Sequence, residues 1–142
     1  MTVPSTVLKI AGLLVAGSLL AGCHEATNVQ LRNMSGASAV MVLRQSRVRL
    51  ANGQVLELSP RMQANSLDAT ADQQPIVRLA PGGGPDQCFA LKFDQVPGDY
   101  FSGGSPKRLA VELGQDGTLA AFPKKARGPG SGVKLPRVAC RG

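Results

Sequence analysis

"RVRLANGQVLELS" (47–59) decides how this chain is read. Two short runs alternate apolar and polar residues with period two, the pattern of a half-buried β-strand. Between them lies Asn52-Gly53, a pair that tolerates left-handed backbone. A two-residue turn there would set Leu50 opposite Val55 and Arg49 opposite Leu56. That register mixes arginine and leucine on one face, which a strand with one buried face does not accept. A three-residue loop, Ala51-Asn52-Gly53, with Gly53 at positive φ as a bulge, separates the faces. It predicts a hairpin in which Leu50 meets Gln54, Val48 meets Leu56 and Ser46 approaches Leu58. Arg47 and Glu57 then pair on the solvent side.

The same logic applies to "VELGQDGTLAA" (111–121). Gln115-Asp116-Gly117 forms the loop, Gly114 closes against Thr118, and Gly117 takes positive φ. Leu113 and Val111 face inward opposite Leu119 and Ala121, while Glu112 and Ala120 face outward. Further β-type runs are "NVQLRN" (28–33), "AVMVLR" (39–44), "IVRLA" (76–80), "CFALKF" (88–93), "RLAVEL" (108–113), "TLAAF" (118–122) and "LPRVACR" (135–141). Only "RMQANSLDATADQQ" (61–74) leaves a helical turn or a loop open. Short strands at regular spacing, with frequent Gly and Pro between them, predict an all-β fold: a small antiparallel sandwich or barrel with hairpins.

Upstream of these runs the chemistry changes. "IAGLLVAGSLLAG" (10–22) carries no charge and follows Lys9. Spanning a bilayer takes ~20 residues, so this stretch has the length of a signal-peptide core instead. It ends at Leu20-Ala21-Gly22-Cys23, which resembles the lipobox of bacterial lipoproteins. The resemblance covers the first 23 residues only. It implies removal of residues 1–22, a diacylglyceryl thioether on Cys23 and further acylation of its new amine. Residues 23–27 would be a lipidated tether and 28–142 the β-domain. More than one chain anchors a protein stably where a single chain does not. His24 follows the cysteine; the absence of Asp there implies the outer membrane, facing the periplasm, in a Gram-negative cell.

Processing at Cys23 leaves 120 of the 142 residues, ample for one domain. Two cysteines remain, and export implies an oxidising compartment, so Cys88 and Cys140 are expected to form one disulfide. No metal site is expected, because the chain has no C-x-x-C and its single histidine, His24, lies beside the anchor. No cofactor motif is present: "APGGGPDQ" (80–87) lacks the Lys-Ser/Thr ending and following helix of a phosphate loop and reads as a connection. In "YFSGGSPKR" (100–108), Tyr100 and Phe101 read as one core ring and one rim ring, with a contact site as the competing reading.

The chain carries a net charge of +7, concentrated toward its end. Lys124, Lys125, Arg127 and Lys134 fall in or beside a Pro/Gly-rich segment (123–134), read as a flexible basic loop. They are candidate contacts to an anionic surface, such as lipid headgroups or an envelope polymer. Nucleic acid is not expected, since no aromatic residues interleave with these charges. General acid–base or nucleophilic catalysis needs positioned His, Cys or paired carboxylates. With both core cysteines paired, His24 on the tether, and Asp94 and Asp99 in an ordinary turn, the chain is read as non-catalytic. The sequence thus predicts a lipid-anchored envelope protein with a binding or structural β-domain and an envelope protein or polymer as partner. The alternative is an inhibitor of a host or rival hydrolase that inserts the 100–108 loop.

Overall fold

The computed structural model describes residues 26–123 and 132–141. It is an all-β sandwich of two sheets with one short helix and a Cys88–Cys140 disulfide. The strands are β1 (Thr27–Asn33), β2 (Ala39–Val42), β3 (Arg47–Leu50), β4 (Val55–Leu58), β5 (Asp68–Ala69) and β6 (Pro75–Pro81). They continue with β7 (Gln87–Ala90), β8 (Lys107–Leu113), β9 (Leu119–Phe122), β10 (Val133–Lys134) and β11 (Arg137–Val138). The first sheet has the order β10-β9-β8-β1-β4. The second has the order β11-β7-β6-β2-β3, with β5 also pairing with β6.

Side-chain alternation builds the core. In β1 every second residue, Thr27, Val29, Leu31 and Asn33, is buried, and in β8 so are Leu109, Val111 and Leu113. Met41, Leu50, Val77, Leu79 and Phe89 meet them from the second sheet. Strand β6 departs from simple alternation, because Ile76 and Ala80 are buried on its outer face as well. The chain end lies over that face: Cys140 is bonded to Cys88, and the Arg141 carbonyl accepts a 2.9 Å hydrogen bond from Arg78.

The 111–121 hairpin folds in the predicted register. Leu113 pairs with Leu119, Glu112 with Ala120 and Val111 with Ala121, and the Gly114 amide donates to the Thr118 carbonyl. Gly117 has φ +77° and Gly53 φ +86°, both left-handed as predicted.

The 47–59 hairpin does not form. β3 pairs with β2 in the second sheet, with Met41 opposite Val48 and Val42 opposite Arg47. β4 pairs with β1 in the first, with Leu31 opposite Leu56 and Gln30 opposite Glu57. The Ala51–Gln54 turn survives, the Gln54 amide donating to the Ala51 carbonyl, but it carries the chain from one sheet to the other. Alternation specifies which face of a strand is buried and leaves its partner open, so Leu50 and Leu58 enter one core from opposite sheets. The hairpin that does form, β2–β3, turns through Leu43-Arg44-Gln45-Ser46, closed by the Leu43 amide on the Ser46 carbonyl. Apart from Ser46 it contains none of the residues that mark turns in a sequence.

A second departure is that β1 and β8 run parallel, from Thr27–Lys107 to Asn33–Leu113. The first strand therefore lies inside its sheet, flanked on both sides. The open segment 61–74 begins with a helix, α1 (Pro60–Ser66). Ser59 caps it, its hydroxyl accepting from the Met62 amide, and Pro60 occupies the first turn.

Candidate functional site

The two ends of the sandwich differ, and the strand directions define them. At the end where β1 begins lie Ala26, the start of β8, the close of β4, helix α1 and the 91–106 connection. At the other end lie the four turns 34–38, 51–54, 82–86 and 114–118. We call these the tether pole and the turn pole.

The tether pole contains a cleft of about 800 Å³. Its lining mixes apolar and polar groups: Leu67 and Val96 are buried, and the Phe93 and Phe101 rings pack edge to face at 6.3 Å. Pro60 and Ala64 of α1 line it, together with Ala69 and Pro75. Arg44, Gln73, Gln74, Asp94 and Lys107 supply polar groups, and Arg44 pairs with Asp68 at 3.6 Å. Gln63 holds the helix against the first sheet. It is buried, and its side-chain amide donates to the carbonyls of Thr27 at 2.7 Å and Leu58 at 2.8 Å. The Arg44 amide donates to the Ser66 carbonyl at the helix end, joining the β2–β3 turn to the same assembly.

The turn pole is organised by buried Asn33. Its side-chain nitrogen donates to the carbonyls of Ala37 (2.8 Å) and Leu50 (2.9 Å), and its oxygen accepts from the amide and hydroxyl of Ser35. Asn52 accepts from the Gly36 amide, so the first two turns brace each other. The Gly82 amide donates to the Ser38 carbonyl and ties in a third turn. In the fourth, the Asp116 carboxylate accepts from the Thr118 hydroxyl at 2.7 Å and from its amide at 3.1 Å. Those bonds, with Lys134 nearby, hold the Asp116 carboxyl below its ordinary range. Met34 stands exposed beside this pole.

The predicted site residues fall as follows. Cys23, the expected lipid attachment, lies outside the described residues, as do Lys124, Lys125 and Arg127. β9 runs toward the tether pole and the chain leaves the described part after Pro123, returning at Gly132. Lys134 is on the sheet margin, 4.0 Å from Asp116, so its charge is matched from the turn pole. Cys88 and Cys140 are bonded to each other. Tyr100 and Phe101 are both half-buried against the core, in place of one core and one rim ring. The 80–87 connection carries an ion pair, Arg78 with Asp86 at 2.8 Å. Among the described residues no group of three or more His, Cys, Asp or Glu side chains gathers to hold a metal.

The cleft is what sequence reasoning missed. Its lining comes from five separate stretches that become neighbours only in the fold. The one local sign was Ser59-Pro60, which announces a helix start and hence a wall. No family model, curated protein or solved structure matches this chain.

Proposed function

We propose that this chain is a lipid-anchored envelope lipoprotein whose sandwich is a non-catalytic binding domain. The observation that most supports this reading is the Cys88–Cys140 disulfide, which suits an exported protein carrying a lipobox-like Cys23. Three residues separate Cys23 from Thr27, so the tether reaches no more than about 14 Å when fully extended. The tether pole then faces the bilayer, and the braced turns around Asn33 and Asn52 face the partner. Pro123 follows the end of β9 and Gly132 precedes the start of β10, so both flanks of the segment bearing Lys124, Lys125 and Arg127 face the bilayer side in this reading, where each basic residue near anionic lipid adds about 1 kcal/mol of attraction. The partner is an envelope protein or an anionic envelope polymer.

The test is labelling with radioactive palmitate followed by fractionation. Wild-type protein should carry label and sediment with membranes. Cys23→Ser should lose both the label and the membrane association while remaining folded. Unlabelled wild-type protein in the soluble fraction would reject the reading. A cross-linking pull-down with the anchored wild type then identifies the partner, and a panel of lysozymes and proteases tests the inhibitor alternative.

A further inference from the structure

We propose, on the reading that Cys23 is lipidated, that the tether-pole cleft receives one of the acyl chains carried by Cys23 of the same molecule. The cleft would shelter that chain whenever the protein is away from a bilayer.

Position supplies the first argument. Ala26 and Thr27 line the cleft, so its mouth lies within three or four residues of the lipidated sulfur. A group held about 10 Å from a site competes there at an effective concentration in the millimolar range or above, well ahead of free lipid.

Shape and chemistry supply the second. A volume of about 800 Å³ lies within the range of sites that enclose small ligands. The apolar part of a mixed lining, with the half-buried Phe93 and Phe101 rings beside Leu67 and Val96, offers hydrocarbon to hydrocarbon. The nearby Arg44 is matched by Asp68 and so does not demand an anionic ligand. Gln63, buried at this end, spends its amide hydrogens on two backbone carbonyls.

The driving force sets when the cleft fills. Hydrocarbon gains nothing by leaving a bilayer for an apolar cleft, but it gains by leaving water. The chain therefore lies in the membrane while the protein is anchored and in the cleft during passage through water.

The experiment uses the full-length precursor, produced in a bacterium that lipidates exported cysteines, with a photo-crosslinking amino acid at Ala64. That residue is exposed on α1 and lines the cleft, so the larger side chain does not enter the core. Gln74, on another wall, is a second placement should the first disturb folding. Asn52 at the turn pole is the control. Isotopically light and heavy chains are mixed, so that adducts within one chain are distinguished from those between chains. The intact mass reports lipidation of Cys23 independently.

After detergent removal, irradiation should join position 64 to the acyl group of its own Cys23, at least several-fold more than from position 52. Reconstitution into phosphatidylcholine vesicles should reduce that adduct several-fold. Lipidated protein that gives no excess at position 64 or 74, or only adducts between chains, or adducts unaffected by vesicles, overturns the proposal and leaves the lipoprotein reading standing. A mass showing bare Cys23 removes both.

Discussion

Asn33 shows how much one polar side chain decides at the turn pole. It ends β1 on its inward face, where the alternation of Val29 and Leu31 calls for another apolar residue. Its amide instead satisfies the buried Leu50 carbonyl and pins the 34–38 turn. Asn33→Ala removes these side-chain bonds, each worth about 0.5–1.5 kcal/mol net. The urea midpoint should fall accordingly at unchanged slope, and a loss below about 0.5 kcal/mol would show that the network carries no stability. In the sequence this residue reads only as the end of a strand, because the carbonyls its amide serves are 4 and 17 positions away. Asp116 acts through proton linkage. Its carboxyl is held below the ordinary range chiefly by the Thr118 hydroxyl, then by the Thr118 amide. A depressed folded pKa means that the stabilisation is present above the unfolded value of about 3.9 and disappears as pH falls through the lower folded value. Thermal unfolding followed across the acid range should show this loss in the wild type and a smaller one in Thr118→Val. Identical acid profiles would refute the assignment.

At the scale of elements, the strand runs were legible and their partners only partly so. The β8–β9 hairpin follows from local chemistry, because its turn and both strands lie within one short stretch. β3 and β4 show the limit: a residue at positive φ, Gly53, reverses the chain equally well within a sheet or between two sheets. β10 and β11 are two residues each and carry little strand signal. They pair with β9 and β7, and the disulfide clips the chain end beyond them to β7. A loop of this length corresponds to about 4 kcal/mol in the chain-entropy account, and removing one native disulfide from a small domain costs about 2–5 kcal/mol. Cys140→Ser should therefore lower stability by roughly that much. It should also remove hydrogen-exchange protection from residues 133–141 before it affects β1 and β8. Uniform loss of protection across the sandwich would contradict a local role for the clip.

The molecule as a whole combines two sheets whose margins are short or charged. β3 exposes Arg47 and Arg49, β4 exposes Glu57, and the opposite margins end in two-residue strands. Such margins discourage strand-to-strand aggregation. The all-β class and the disulfide were legible because alternation and cysteine number are local or countable. The cleft and the parallel pairing were not, since both arise from contacts between distant segments. The parallel pairing has a mechanical consequence. Strand β1 is the one joined to the N-terminal segment, and it is gripped lengthwise by β8 along all seven of its residues and by β4 along four. A pull applied at the N-terminus runs along that strand, so the rungs on both flanks are loaded together in shear instead of being peeled one at a time. A domain anchored through its N-terminus, as proposed, would thus hang from its most firmly held member, and force would have to rupture the first sheet before it could draw the strand out.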